Sequence, residues 1–283
     1  MGSLYRLLHW LTETNLFIAL GAAMYAGSSY WFFGLRANWN LLGLVFFATL
    51  FTYNFQRRIG DLHKSKAYLK WKWAFMIVSL PSMAIMALGL SWNTFLVLLP
   101  AGALAMAYAI PIIPVAGGAY SLRKVPYMKA WVILLTWIMA GQLAVWLESA
   151  ALFAALATYD LLLFAIQQGA LILALTLCFD IRDLKVDAAA QKTLPQMLGV
   201  EGARALAIRA LYLSALAAGL HYLFGNAGSA QLLAHLAVLA VAITLARRCH
   251  PERPELYFTV ALDGLLILQG GLLYLMPRSG ILF

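Results

Sequence analysis

The chain alternates between long apolar blocks and short polar connections. Crossing the hydrocarbon core of a bilayer takes about 20 largely apolar residues. Windows that meet this, some of them short, run Asn15–Gly34, Asn40–Phe55, Trp73–Leu90, Phe95–Ile110, Met128–Leu147, Leu161–Phe179, Leu206–Phe224, Gln231–Ala246 and Leu256–Met276. The pattern predicts an all-α polytopic membrane bundle of about nine transmembrane helices. No linker or shift in composition divides it, so residues 1–283 read as a single membrane domain with its spans between 15 and 276. Ahead of the first window, Leu4, Leu7, Leu8 and Leu11 recur at helical spacing beside Trp10, which predicts a helix over 1–12 lying in the membrane interface. Arg6 and His9 interrupt this stretch and no small-residue cleavage site follows, so a secretory signal is not expected.

The polar connections set the orientation. Arg57, Arg58, Lys64, Lys66, Lys70 and Lys72 fall between the second and third windows, and Arg123, Lys124 and, at the edge, Lys129 in the connection from the fourth to the fifth. Arg182, Lys185, Lys192 and Arg204 follow the sixth window, and Arg247, Arg248 and Arg253 follow the eighth. The opposite connections hold only Arg36, with Arg278 in the tail. Cytoplasmic loops accumulate Lys and Arg, so the amino terminus is expected inside and the carboxyl terminus outside, as an odd number of spans requires.

Composition agrees with the pattern. Hydrophobic residues make up 64% and charged residues 11%, with a mean hydropathy of +0.83. A soluble domain carries about 25% charged residues. The net charge of +9 sits in connections between apolar blocks, which points to an anionic leaflet or a phosphorylated substrate and away from nucleic acid. Cys178 and Cys249 fall in a span and a cytoplasmic loop and are expected as free thiols.

The chemistry concentrates in Phe179-Asp180-Ile181-Arg182-Asp183-Leu184-Lys185-Val186-Asp187, followed by Gln191-Lys192-Thr193-Leu194-Pro195. Acids at the end of so apolar a run are costly unless a cation meets them. Spacing i, i+3, i+7 puts Asp180, Asp183 and Asp187 on one helical face. A solvated helix end accounts for isolated acids. Three on one face without interleaved basic partners read as a divalent-cation site that also meets phosphate. Asp263 lies roughly 10 Å along the last span, as function, cavity wall or hydrogen-bond partner of a neighbouring helix. Asn15 opens the first span as a helix start or a ligand. Gln167 and Gln168 are expected to hydrogen-bond between helices. His221 and His235 form no metal-ligand spacing. The connection from Tyr108 to Lys129, with Pro111, Pro114, Gly117, Gly118 and Pro126, suits a structured loop over an anion or an ordinary basic connection.

At these residues the whole chain resembles the UbiA superfamily of intramembrane prenyltransferases. Asp180, Asp183 and Asp187 match its second acidic motif, DxxDxxxD, after the sixth of nine spans, with a similar tail in Lys192-Thr193-Leu194-Pro195 and Leu198-Gly199. Tyr108 and Pro111, then Leu122-Arg123-Lys124 and Pro126, resemble a further loop motif, and Asp263-Gly264 an Asp-Gly pair of the last helix. The first motif departs: where the family has Asn-Asp-x-x-Asp-x-x-x-Asp this chain has Tyr53-Asn54-Phe55-Gln56-Arg57-Arg58-Ile59-Gly60-Asp61, with at least two carboxylates missing.

The resemblance implies an isoprenyl diphosphate held by Mg2+ on Asp180, Asp183 and Asp187, with Gln56 and Asp61 as remaining first-motif ligands. Asp180, Asp183, Asp187 and Asp61 are then the catalytic acids, and Arg57, Arg58, Arg123, Lys124 and Lys192 the diphosphate cations. Asn15, Asn54, Gln56, Tyr108 and Asp263 would line the substrate pocket. The leading expectation is prenyl transfer to an aromatic or other lipophilic acceptor, in a bacterial inner membrane, with membrane lipid as surroundings. A terpene cyclase and a non-catalytic lipid-binding or transport protein of the same fold are the alternatives.

Overall fold

The computed structural model describes residues 2–60, 66–115, 118–154, 158–187, 191–225 and 227–276. Helix α1 (Ser3–Glu13) leads into α2 (Leu16–Phe32), α3 (Trp39–Gly60), α4 (Lys66–Ala87) and α5 (Trp92–Ala109). Strands β1 (Ile113–Val115) and β2 (Gly118–Tyr120) pair antiparallel, Ile113 opposite Tyr120, and a 3-10 turn follows at Leu122–Lys124. Helix α6 (Lys129–Ile138) passes through a π-helical segment, Met139–Leu143, into α7 (Ala144–Glu148), with short α8 (Ala150–Phe153) after it. Then come α9 (Thr158–Arg182), α10 (Leu194–Phe224) and α11 (Ser229–Arg247), and a π-helical turn, Tyr257–Leu262, that precedes α12 (Gly264–Leu275).

The chain is an all-α bundle. Counting α6 with α7 as one rod, and the last π turn with α12, a long helix underlies each of the nine apolar windows. Among the described residues six helices are long and apolar enough to cross a membrane, and Leu16–Phe32 and Trp71–Ala87 are shorter apolar helices, as an integral membrane protein requires. Exposed Ile77, Leu80, Ile85, Leu96 and Leu99 on α4 and α5 form a face suited to lipid, and α1 exposes Leu4, Tyr5, Leu7 and Trp10.

Several helices outrun their windows because a backbone ladder continues through polar residues that hydropathy discounts. Helix α9 carries Asp180 in its last turn and hands Asp183 to a 3-10 turn at Asp183–Lys185. Helix α10 starts at Leu194, twelve residues before the window, and breaks at Gly199, whose φ of 70° is open to glycine at little cost. The Gln196 side chain accepts from the Thr193 N–H at 2.9 Å and donates to the Asp187 carbonyl at 3.1 Å, tying the start of α10 to the acidic stretch.

Helix α9 is the axis of one buried cluster, in which Leu171, Leu177 and Ile181 meet Ala203, Ala207 and Phe258. A second cluster at the opposite end packs Tyr30, Phe32 and Phe33 against Leu41, Val145 and Phe164. Several polar side chains inside the bundle pair across helices, which lowers the cost of burying them in a low-dielectric interior. Gln269 donates to Gln168 at 2.7 Å, and Ser214 Oγ lies 2.8 Å from His235 Nε2. His221 Nε2 lies 3.1 Å from Asp160 Oδ1. Cys178 and Cys249 are free and buried.

Candidate active site

A cavity of about 930 Å³ runs down the bundle between α2, α3, α5, α6 and α9. Its long wall is apolar, including Leu44, Val45, Leu98, Ile133, Leu175 and Leu266. Tyr25 and Gly141 also line it, where the π-helical segment brings the glycine against the tyrosine: a Cβ on Gly141 would lie 2.2 Å from the Tyr25 ring. Gln142 donates to the Tyr25 hydroxyl at 2.8 Å, and Ser29 donates to the Gly141 carbonyl at 2.8 Å. Lining from Arg57, Tyr108, Arg123, Lys129, Asp180, Arg182, Asp183 and Asp263 makes the rest of the wall ionic. Such a cavity offers a deep apolar space beside an ionic end.

Asp180, Asp183 and Asp187 converge as their spacing predicts, and they converge on Lys129. Its Nζ lies 2.9 Å from Asp180 Oδ1, 3.1 Å from Asp183 Oδ2 and 2.6 Å from Asp187 Oδ2. Lys129 starts α6 and is 4% exposed, so its ammonium is delivered from within the bundle. Arg123 Nη2 reaches Asp187 Oδ1 at 3.0 Å, and Arg182 Nε reaches Asp183 Oδ1 at 2.8 Å. Three carboxylates thus meet three cations, which is what makes their burial tolerable. The Lys129 contact to Asp180 is an ion pair without hydrogen-bond geometry, and both Asp180 oxygens keep acceptor capacity. Burial alone would pull the Arg123 guanidinium down; Tyr108, Asp187 and Asp183 more than reverse this, and its pKa moves up.

The expectation that these acids lack a basic partner is therefore corrected. The partner is supplied across the fold, from 51 to 58 residues upstream, where a scan of the motif's own segment does not see it. It is also the functional residue that sequence reasoning passed over, although a lysine heading an apolar run at the same face as the acids was a usable signal. The fit to a divalent ion fails on this donor set: the point where the three carboxylates meet holds an ammonium. Among the described residues no three acidic, histidine or cysteine side chains are disposed to hold a metal ion.

The first-motif positions divide. Gln56 and Arg57 line the cavity, and Gln56 Nε2 donates to the Ala105 carbonyl at 3.0 Å. Asn54 is not in the wall, contrary to expectation. Its amide donates to the carbonyls of Thr14 at 3.1 Å and Leu50 at 2.8 Å, and its oxygen accepts from Asn15 Nδ2 at 2.9 Å. These bonds hold α3 against the α1 to α2 turn, where Asn15 itself adopts a φ of 62°. Asn15 does line the cavity, with a buried Oδ1 that no protein group engages among the described residues. Asp61 and the side chain of Arg58 lie outside the described residues. Tyr108 and Asp263 are in the wall, and among the described residues no hydrogen bond or ion pair engages the Asp263 carboxylate. Lys124 and Lys192 are exposed and outside the wall; Lys192 Nζ lies 5.8 Å from the centre of the Tyr127 ring.

No protein-family model matches the sequence, and no curated protein matches it. Solved structures do. A UbiA homologue from Archaeoglobus fulgidus bound to Cd2+ superposes with a TM-score of 0.63 at 13% identity, over 93% of this chain and 100% of that one. An apo UbiA homologue from Aeropyrum pernix K1 gives 0.63 at 13% identity, over 92% and 98%. The Archaeoglobus fulgidus homologue bound to GPP and Mg2+ gives 0.61 at 12% identity, over 94% and 98%. This chain has the fold of UbiA homologues.

Proposed function

We propose, taking the UbiA-type fold as premise, that this chain is an intramembrane prenyltransferase that moves an isoprenyl group from an isoprenyl diphosphate to an aromatic or other lipophilic acceptor. The observation that carries the reading is a cavity that is apolar along its wall and ionic where Arg57, Arg123, Lys129 and Arg182 gather. A solved relative of this fold holds GPP and Mg2+, a prenyl diphosphate of the chemistry such a cavity suits. The diphosphate lies at the ionic end and the prenyl chain among Leu44, Val45, Leu98 and Ile133.

Breaking the allylic carbon–oxygen bond leaves the electron pair on the departing diphosphate, and fixed cations lower the barrier by meeting the charge as it develops. The acceptor then bonds to the allylic carbon and releases a proton. Asp263, in the wall and with no hydrogen bond or ion pair on its carboxylate among the described residues, is the group assigned to receive it. In the family Mg2+ neutralises diphosphate charge; the residues here do not fit it. The Lys and Arg bias puts the ionic end on the cytoplasmic side, in what we read as a bacterial inner membrane.

Product analysis with labelled isoprenyl diphosphates of different lengths, with and without a lipophilic acceptor, tests the reading. Acceptor-dependent diphosphate release and a prenylated acceptor are expected, and Asp183→Ala abolishes both by scattering Lys129, Arg123 and Arg182. A hydrocarbon formed without acceptor would replace transfer by cyclisation. No release from any substrate would leave a binding protein.

A further inference from the structure

We infer that Lys129 takes the place of the divalent ion at the second acidic motif, so that this chain engages a diphosphate through its own cations and without metal. The ammonium sits at the focus of the three carboxylates, 2.6 to 3.1 Å from one oxygen of each. Mg2+ takes oxygen ligands at about 2.0–2.1 Å in an octahedron, so it and the ammonium compete for one point and one set of oxygens.

Two further observations favour the ammonium. Lys129 is buried at the first turn of α6, and expelling it would strand a charged group in the bundle. Across the cavity the first motif has Gln56 and Arg57 where a metal cluster would need acids, so this wall too carries protein cation in place of metal ligand. With the acids already matched by Lys129, Arg123 and Arg182, a divalent ion finds no unmet negative charge at the motif. Lys129 and Arg123 line the cavity themselves and reach that diphosphate directly. The acids then act as positioning residues for these cations.

The diphosphate half of this inference rests on the proposed function; the metal half does not. The test uses the purified full chain in detergent, Mn2+ as a paramagnetic probe and geranyl thiolodiphosphate as a non-ionising ligand. Unchanged protein is expected to bind no more Mn2+ than Asp183→Asn, with or without the ligand. Lys129→Met is expected to gain a Mn2+ site that a second change, Asp183→Asn, removes. Ligand affinity of the unchanged protein should stay within about twofold between chelator and Mn2+, and fall about tenfold in Lys129→Met under chelator.

Stoichiometric Mn2+ on the unchanged protein that vanishes in Asp183→Asn, or ligand binding that requires Mn2+, would overturn the inference and leave the proposed function standing. Ligand that binds under no condition would overturn the proposed function, while the Mn2+ titration of ligand-free protein still decides what the acids hold. Should Lys129→Met fail to fold, the unchanged protein against Asp183→Asn settles the matter alone.

Discussion

The end of α3 and the end of α9 face the same cavity, and they solve the burial of polar groups in opposite ways. At α9 the acids Asp180, Asp183 and Asp187 are kept and a lysine from α6 is driven into their midst. At α3 the described residues carry amides and an arginine, and Asn54 spends both amide donors on Thr14 and Leu50 and accepts from Asn15. One side is ionic and matched; the other is neutral and used for packing at Asn54, with Arg57 beyond it in the wall. The difference teaches that an acidic motif identifies a fold more securely than it identifies a metal, because a neighbouring helix decides what the acids hold.

Removing Lys129 breaks the ionic side most severely. Lys129→Ala leaves Asp180 with no cation among the described residues and takes one of the cations from Asp183 and Asp187, and should cost about 3–5 kcal/mol, the penalty for an uncompensated buried charge. Denaturation of the purified protein should show a large loss, with part recovered in Lys129→Arg. A loss as small as that of a surface lysine would mean that the acids are neutralised by something else.

Asp263 sharpens the comparison from the chemical side, since it is the wall carboxylate that no cation holds among the described residues. Asp263→Asn keeps shape and removes the proton acceptor. The expected result is a fall in kcat of about 100-fold, the low end of what a general base supplies, with ligand affinity little changed. A change in affinity with kcat intact would make Asp263 a binding group.

How much of this was legible beforehand differs between the two sides. The nine apolar blocks and the one-face spacing of the acids are local properties, and the bundle and the convergence of the acids follow from them. The identity of what the acids converge on is not local, because Lys129 lies in another helix and enters the scan only as one more basic residue of a connection. Asn54 was misplaced for a related reason: an asparagine at a motif position looks like a ligand until the Thr14 carbonyl is seen beside it. The π-helical segments at Met139–Leu143 and Tyr257–Leu262 leave no mark in hydropathy, since an extra residue in a turn changes no composition.

On the neutral side, Asn54→Ala should act on stability and leave diphosphate binding alone. It leaves the Thr14 carbonyl and the Asn15 amide short of a partner, at about 1–3 kcal/mol for a buried unsatisfied group. Affinity for geranyl thiolodiphosphate in the folded fraction should hold within about twofold. Arg57, three residues beyond Asn54 and in the cavity wall, should behave the other way. Arg57→Ala is expected to weaken ligand binding about tenfold with little change in stability, as the loss of one charge-assisted contact does.

The smallest effects are expected at the two lysines that the sequence nominated and the fold leaves outside. Lys124 is adjacent to Arg123 in the chain, yet Arg123 reaches Asp187 and lines the cavity while Lys124 is exposed. Lys192 follows the acidic motif directly, with its ammonium near the Tyr127 ring and no part in the wall. A solvated ammonium at such a distance is screened by water and salt, so Lys124→Ala and Lys192→Ala should each leave ligand affinity within about twofold. Arg123→Ala, measured beside them, should lose far more, because it removes both the cavity cation and the clamp on Asp187. If Lys124→Ala or Lys192→Ala weakened binding as much as Arg123→Ala, the anionic head would have to sit outside the cavity, over the loop, and the division of the ionic end into matched acids and ligand-facing cations would fail.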